Sequence, residues 1–592
     1  MTWTQTTDPL GNMVLSAIAA VIPILLLFWA LIIKKMKGYK ASLLATAAAL
    51  VVAIAIYGMP VNLALLSAGH GVLYGLFPIC WIVITVVFLF NVTVKSGQFE
   101  IIKHFMASIT DDRRLQALII AFCFGSFLEG TAGFGAPVAI TAAMLVGLGF
   151  NPLYAAGICL IANTAPVAFG AIGTPILVAS QVTDIPEMAI SQMVGRTLPI
   201  LSLLVPFYLV MIMAGFRKTV EVWPAILITG GSFAGLQWFS SNFLGPNLPD
   251  IISGLGATVS LIIFLKFWKP RQAWKFKHED PAQERELQVY STGQILRAWS
   301  PFIILTIMVI GWGIGPIKTI LDQWGAVTFE IPGIHLSILD VEGNPMPHTF
   351  KFNYLSAAGT AILFSVFLSL PLIGFGLKQA GRVFADTLNQ LKFPIITVGA
   401  VLGFAYILND SGMTISMAYV LASTGPLFPF FAPVLGWLGV FITGSDTSAN
   451  ALFGKLQSVT ATSIGVDPVV AVSANVSGGV VGKMISPQSI AVAAGAGGLI
   501  GRESELFRFT VKHSFIMLFF VCCIVCLQAY VIDWIIPAYS EMSAVQHAAA
   551  ASPNVADGGL YLGVFAVLLA IICLLIWLSS RNEDLIPKNN QQ

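Results

Sequence analysis

Six charged residues lie inside or at the ends of long apolar stretches of this chain: Glu129, Arg196, Asp410, Asp446, Lys455 and Lys483. A charge at membrane depth costs at least about 2.5–3.5 kcal/mol, so such residues are functional candidates. Either of Lys455 and Lys483 could attract a carboxylate anion, and Glu129 or Asp446, if burial keeps it neutral, could carry a proton. The alternative to a transport role is a structural one, in which an ion pair such as that of Asp446 with Lys455 only holds its own helical segment in place. Arg196 and Asp410 stand near predicted span ends and are expected to reach the interface.

The first cluster of candidate binding residues is a glycine-rich break, Glu129-Gly-Thr-Ala-Gly-Phe-Gly-Ala-Pro137. Its glycines release the helix and Pro137 suits the first turn of a returning helix, which leaves free backbone N–H groups that could hold an anion. Asn163-Thr-Ala-Pro166 interrupts the next apolar stretch in a similar way. The candidate substrate contacts here are Gly130, Thr131, Gly133, Gly135, Asn163 and Thr164.

A second break, Thr443-Gly-Ser-Asp-Thr-Ser-Ala-Asn450, is richer in hydroxyl groups. Hydroxyl donors suit a 2-hydroxy carboxylate, which needs hydrogen bonds but no second fixed charge. Asn475 to Gly479 is the expected counterpart of the break at Asn163. The other explanation is that glycines and hydroxyls only allow close helix packing. The candidate contacts in this half are Ser445, Thr447, Ser448, Asn450, Lys455, Asn475 and Lys483.

Composition sets the class of protein that must position these residues. Hydrophobic residues make up 57% and charged residues 10%, whereas a soluble domain carries about 25% charged residues. The net charge of +2 gives no reason to expect a nucleic-acid partner. The seven cysteines all fall in apolar stretches, and Cys522-Cys523-x-x-Cys526 lacks a second ligand pair, so neither a metal nor a cofactor is expected. No motif for hydrolysis or ATP binding is present, so the chain is not expected to be an enzyme.

Apolar runs predict an all-α polytopic membrane protein of about 13 transmembrane helices plus two re-entrant helical hairpins, near 115–150 and 427–463. Basic residues after the first span place the N-terminus outside, and the remaining basic loops and the C-terminus then fall in the cytoplasm. The loop 316–352 would form an external cap. We expect a bacterial inner-membrane location. The predicted spans are 13–33, 41–57, 75–95, 153–180, 188–215, 223–243, 251–267, 294–315, 354–375, 393–410, 468–495, 506–535 and 558–578.

Small landmarks recur in the same order in the two halves of the chain. Phe77-Pro-Ile79 matches Phe393-Pro-Ile395, and Gly130 matches Gly444. Because the two hairpins would enter from opposite faces, the halves are predicted to be inverted repeats, an arrangement typical of alternating-access carriers. The expected divisions are a first repeat at 1–243, a linking span and cytoplasmic loop at 244–293, a second repeat at 294–535, and an external loop, last span and tail at 536–592.

Four stretches resemble the signatures of the bacterial lactate permease family: the breaks at 129–137 and 444–450, together with Ala162-Asn-Thr-Ala-Pro-Val-Ala-Phe-Gly170 and Lys483-Met-Ile-Ser-Pro-Gln-Ser489. The resemblance implies lactate and glycolate uptake with protons, and membership of a wider ion-transporter superfamily in which a hairpin domain moves against a scaffold.

The sequence therefore predicts a secondary transporter that takes up L-lactate, and also D-lactate and glycolate, by proton symport. Its expected partners are a small monocarboxylate anion, protons and membrane lipid. Whether copies form a homo-oligomer is left open. The rival function is a sodium-coupled carrier of another small organic anion, and a channel or membrane enzyme is the third alternative.

Overall fold

The computed structural model describes residues 2–133, 135–276 and 290–539. The predicted last span at 558–578, the C-terminal tail and Cys573 lie outside the described residues. The helices of the first part are α1 (Met13–Phe28), α2 (Gly38–Ala55), α3 (Val61–Tyr74), α4 (Trp81–Lys95), α5 (Gln98–Ala107), α6 (Arg113–Gln116), α7 (Gly125–Thr131), α8 (Ala136–Gly147), α9 (Pro152–Ala162), α10 (Gly170–Thr183), α11 (Glu187–Ala214), α12 (Phe216–Val220), α13 (Trp223–Phe243) and α14 (Pro249–Phe267).

The second part is also helical, and four short strands lie in its loops and at the N-terminus. The strands are β1 (Trp3–Thr4), β2 (Val327–Glu330), β3 (Ile338–Leu339) and β4 (Thr349–Phe352). The helices are α15 (Thr292–Gly313), α16 (Gly315–Gly325), α17 (Ala358–Ile373), α18 (Leu377–Asp410), α19 (Met413–Ala422), α20 (Phe428–Thr443), α21 (Asp446–Ser463), α22 (Pro468–Lys483), α23 (Pro487–Gly497) and α24 (Glu503–Tyr530).

Ten helical segments in the described residues are long and apolar enough to cross a membrane, or eleven if a bent pair is counted as one span. The bent pair is Pro152–Ala162 with Val167–Thr183, at 63°. The helical, polytopic class is confirmed, but the described residues do not reach the predicted total of about 13. Helix α17 is too short, with 16 residues. Helix α3, absent from the predicted spans, joins α4 across a kink at Phe77 within the segment Val61–Lys95.

Each predicted hairpin folds back on itself around its glycine-rich turn. In the second hairpin the Gln457 amide donates to the Ala432 carbonyl at 2.8 Å, and these residues are equally far from the turn. In the first hairpin a Cβ on Gly125 would lie 3.6 Å from Thr141 Cγ2, again on opposite arms. The two stretches are therefore antiparallel helical pairs, α7 with α8 and α20 with α21.

The two interrupted spans differ from each other. The chain leaves helical geometry after Asn163, as the proline at 166 predicts, and resumes it within α10 only after Gly173, because 171–173 have positive φ. In the second half, Asn475 to Gly479 continue the helix α22, so the expected break there is wrong. The interruption comes later, after Lys483, where Ser486 caps α23. Gly478 serves packing instead, since an added Cβ would lie 2.6 Å from the Pro433 carbonyl carbon of α20.

Loops gather on two faces of the helical body. On one face, β1 pairs in parallel with β3, while β2 and β4 form an antiparallel ribbon in the loop between α16 and α17. On the other, the buried Arg114 bonds Asp112 at 2.7 Å, Glu221 at 2.9 Å and the Gln272 carbonyl. Loops with basic residues that the sequence assigns to the same side of the membrane thus contact one another. The N-terminal strand and the predicted cap, 316–352, also contact each other.

Candidate functional site

A cavity of 440 Å³ lies where the two hairpin turns meet the two interrupted spans. Its remaining wall is formed by α18, by the segment joining α1 to α2 and by the start of α2, and it includes Tyr39 of α2 and Phe393 of α18. Both glycine-rich turns contribute, since Gly133, Gly135 and 443–448 line the cavity. The polar side chains in the lining are Lys37, Tyr39, Glu129, Thr174, Thr397, Thr443, Ser445, Asp446, Thr447, Ser448, Lys483, Gln488 and Ser489.

A buried ion pair joins the two halves of the chain in this cavity. Lys483 Nζ lies 2.5 Å from Glu129 Oε1, and the two side chains are 11% and 3% exposed. The other oxygen, Glu129 Oε2, is buried without a hydrogen-bond partner among the described residues. Lys483 ends α22 and Glu129 lies in α7, so the pair connects the second interrupted span to the first hairpin.

Asp446 begins α21 at the second turn and also lines the cavity. Both of its carboxylate oxygens are buried and lack a hydrogen-bond partner in the described part of the chain. The nearby Asn450 amide is engaged elsewhere, donating to the Pro175 carbonyl at 3.2 Å. Asp446 interacts electrostatically with Lys483 and Glu129, so it belongs to the same group of charges.

Sequence reasoning missed a third carboxyl, Asp250. It is 1% exposed at the start of α14, and neither of its oxygens has a partner in the described ranges. A Cβ on Gly130 would lie 2.8 Å from Asp250 Cβ, so the residue packs directly behind the first turn. Asp250 does not line the cavity, but it interacts electrostatically with Glu129 and Lys483. An acidic residue at the start of a helix is common, so the position of Asp250 after Pro249 gives no signal in the sequence. Only its contact with Gly130 in the folded chain indicates its role.

Three carboxyl groups therefore surround one buried lysine. Full ionisation would leave two uncompensated negative charges in an apolar region, and unpaired buried charges are strongly disfavoured. The group can reach neutrality by binding protons or cations. Within the described residues, no three His, Cys, Asp or Glu side chains are arranged to hold a metal ion.

Some predicted contacts lie near the cavity but not on its surface. Thr131 donates to the Phe127 carbonyl of its own helix at 3.0 Å, and Thr164 donates to Ile161 at 2.6 Å. The Asn163 side-chain oxygen and nitrogen are buried without a partner among the described residues. Asn475 donates to Asn450 at 2.8 Å, which joins α22 to α21. These residues support the walls of the cavity.

Lys455 is placed well away from the other candidates. Its ammonium lies 3.2 Å from Asp184, the side chain is 31% exposed, and it does not line the cavity. The ion pair with Asp446 that the sequence left open does not form, because Lys455 pairs with Asp184 instead. Nine residues of helix separate the two by about 13 Å along the axis.

The two residues expected at the interface are both held by protein groups. Arg196 donates to Asn242 at 2.9 Å and to the Ile535 carbonyl. Asp410 is 4% exposed, so the expectation that it reaches the interface is wrong. It accepts from Ser67 at 2.5 Å and lies 3.3 Å from His348 of the loop between α16 and α17. This contact fastens the loop to the end of α18.

The chain has close relatives among characterised proteins. It is 55% identical over 563 residues to the L-lactate permease of Bacillus subtilis, covering 91% of this chain and all of that protein. It is 53% identical over 552 residues to the glycolate permease GlcA of Escherichia coli, covering 90% and 99% of the two chains. The L-lactate permease of the same species is 52% identical over 548 residues, covering 90% and 100%.

Among solved structures, the MtrF efflux pump of Neisseria gonorrhoeae aligns with a TM-score of 0.41 at 13% identity, covering 78% of this chain and 84% of that one. That likeness is too distant to inform the site. The sequence match is direct, because the family described as L-lactate permease covers residues 16–532, which include both hairpins, both interrupted spans, and Glu129, Asp250, Asp446 and Lys483. The chain is thus a multi-pass membrane protein that belongs to the L-lactate permease family.

Proposed function

We propose that this protein takes up L-lactate, D-lactate and glycolate together with protons across the bacterial inner membrane. Membership of the family supports transport of a short 2-hydroxy acid, since relatives carry the names L-lactate permease and glycolate permease. The N-terminus would face outside and the C-terminus the cytoplasm, following the basic loops.

The single observation that carries this proposal is the buried group of Lys483, Glu129 and Asp446 on a cavity formed by both hairpin turns. One buried ammonium suits one carboxylate. The hydroxyl groups of Ser445, Thr447 and Ser448 line the same space and suit the substrate's 2-hydroxyl group. An excess of carboxyl groups over cations suits proton binding.

Alternating access follows from the predicted inverted repeats. The two hairpins and interrupted spans would form the moving part, and the helices carrying Tyr39 and Phe393 the scaffold. The cavity lies between these two parts, so a relative movement would change its exposure from one face to the other.

Reconstitution into proteoliposomes tests the proposal. An imposed inward proton gradient should accumulate labelled lactate above its equilibrium level, and a protonophore should abolish the accumulation. Failure with lactate and glycolate at normal protein levels would refute the function. Replacement of potassium by sodium at fixed pH separates the rival carrier, because only a sodium-coupled protein would respond. Flux that neither saturates nor concentrates substrate would indicate a channel.

A further inference from the structure

We propose that the substrate carboxylate and Glu129 compete for the Lys483 ammonium, and that Glu129 binds the transported proton when the substrate displaces it. The inference rests on the proposed function and specifies how anion and proton are coupled. It selects Glu129 over Asp446, whereas the sequence offers both as proton carriers.

The geometry of the ion pair carries the first step. Lys483 and Glu129 both line the cavity, so an anion that enters it reaches both members of the pair. At 2.5 Å, Glu129 Oε1 occupies a donor direction of the ammonium. An anion that binds the same ammonium shares its positive charge and weakens the bond to Glu129. In the proposed mechanism the anion takes over this bond, and Glu129 loses its direct partner.

The surroundings of Glu129 determine what happens next. The titratable groups that interact with it in the described structure are Lys483 from α22, Asp250 from α14 and Asp446 from α21. Apart from the lysine these are acids, and Glu129 Oε2 already lacks a partner among the described residues. A displaced Glu129 carboxylate would have no cation within this group. Proton binding removes that unpaired charge.

Asp446, unlike Glu129, does not lose a direct partner when the substrate binds Lys483. Its carboxylate oxygens make no direct hydrogen bond to Lys483, and the lysine acts on Asp446 only at longer range. Substrate binding at Lys483 therefore changes the direct partner of Glu129 alone. Asp446 and Asp250 remain neutral throughout the cycle in this mechanism.

The exchange balances in charge and atoms. In the empty site the Lys483 ammonium pairs with the Glu129 carboxylate. In the loaded site the ammonium pairs with the substrate carboxylate, and Glu129 carries one added proton. One monoanion and one proton enter together and leave together, so each turnover moves no net charge across the membrane.

The variant Glu129→Gln in proteoliposomes tests the competition. Glutamine keeps the shape but cannot bind the proton or neutralise the lysine. We expect proton-driven accumulation to be lost while exchange of labelled for unlabelled lactate persists, with a KM for exchange about tenfold lower. A purely structural role for Glu129 would weaken exchange instead. Glu505→Gln is the matched control, because Glu505 forms an exposed pair with Arg502 at 2.6 Å.

A measurement on the unaltered protein keeps the proposal testable if the variant does not fold. Because the loaded site holds one more proton than the empty site, the exchange KM for lactate should rise with pH, by up to about tenfold per pH unit. A membrane potential set with valinomycin should leave accumulation unchanged. A pH-independent KM, a voltage-dependent accumulation, or accumulation retained by Glu129→Gln would overturn the inference and leave lactate–proton symport intact. Absence of proton-driven accumulation in the unaltered protein would instead refute the proposed function.

Discussion

Gly170→Ala is a direct physical test of the Glu129–Lys483 pair. Gly170 has φ of −62° and ψ of 155°, which alanine adopts without strain. An added Cβ would lie 2.8 Å from Glu129 Oε1 and 3.2 Å from Glu129 Cγ. Cβ atoms essentially never approach other heavy atoms within 3.0 Å, so the Glu129 carboxylate has to move. The substitution thus acts on the ion pair by steric contact and leaves both charges in place.

The size of the effect follows from the overlap. The atoms near the added Cβ all belong to the flexible Glu129 side chain, and turning such a side chain away from its preferred rotamer costs about 0.5–1.5 kcal/mol. Here the cost falls on the empty site, where Glu129 is paired, and is relieved when the substrate displaces Glu129. The exchange KM for lactate should therefore fall by about 2- to 12-fold, since 1.4 kcal/mol corresponds to a factor of ten.

Exchange of labelled lactate in proteoliposomes at fixed pH measures this KM directly. Gly495→Ala is the control, because Gly495 lies within α23 and no heavy atom lies within 4 Å of its added Cβ. A KM for Gly170→Ala that equals or exceeds that of the control, at equal reconstituted protein, would refute the competition argument.

Three further changes have defined outcomes. Lys455→Ala should raise the KM for lactate far less than Lys483→Ala, because Lys455 pairs with Asp184 outside the cavity; equal effects in uptake assays would contradict our site. Burial lowers the pKa of His348, but its bond to the neighbouring carboxylate raises it further, above the ordinary value. The protonated histidine therefore stabilises the fold fully below about pH 6.5, and this stabilisation is lost as the pH rises through its raised pKa. The melting temperature of His348→Gln should therefore depend less on pH than that of the unaltered protein. An equal pH dependence of the two melting temperatures would exclude this role. Gly254→Ala should lower the melting temperature, because its added Cβ would lie 2.7 Å from the Phe127 backbone nitrogen. Gly235→Ala should not lower it, because its added Cβ meets no backbone. Equal melting temperatures of the two variants would show that α14 can shift.

Local sequence was sufficient to predict the hairpin turns. Glycines and hydroxyls within apolar stretches are readable signals of a helix interruption where water cannot replace the lost hydrogen bonds. The structure places a turn inside each predicted stretch, but the turns are shorter than 129–137 and 443–450: α7 ends at Thr131 and α8 begins at Ala136, whereas α20 ends at Thr443 and α21 begins at Asp446. The same reasoning failed at Gly478, where the glycine allows close packing of α20 and α22 inside a continuous helix.

The pairing of charges was beyond sequence reasoning. Glu129 and Lys483 were each selected for their type and location, but 354 residues separate them and no spacing rule joins them. Lys455 was selected for its nearness to Asp446 along the chain, whereas the helix carries it away from the turn. Asp250 was missed because its significance depends on packing against Gly130, a contact between two distant segments.

The pairing of β1 with β3 has a consequence for how the protein is made. Trp3 is aligned with Ile338, and the Gln5 amide donates to the Asn409 and Asp410 carbonyls. Trp3 is therefore synthesised long before its partner, which follows more than 330 positions later in the chain. Contacts of such long sequence separation form late in folding. Residues 3–5 must stay accessible on one face of the membrane during synthesis, so a bulky insertion beside them would hinder the final step of assembly more than insertion of the individual helices.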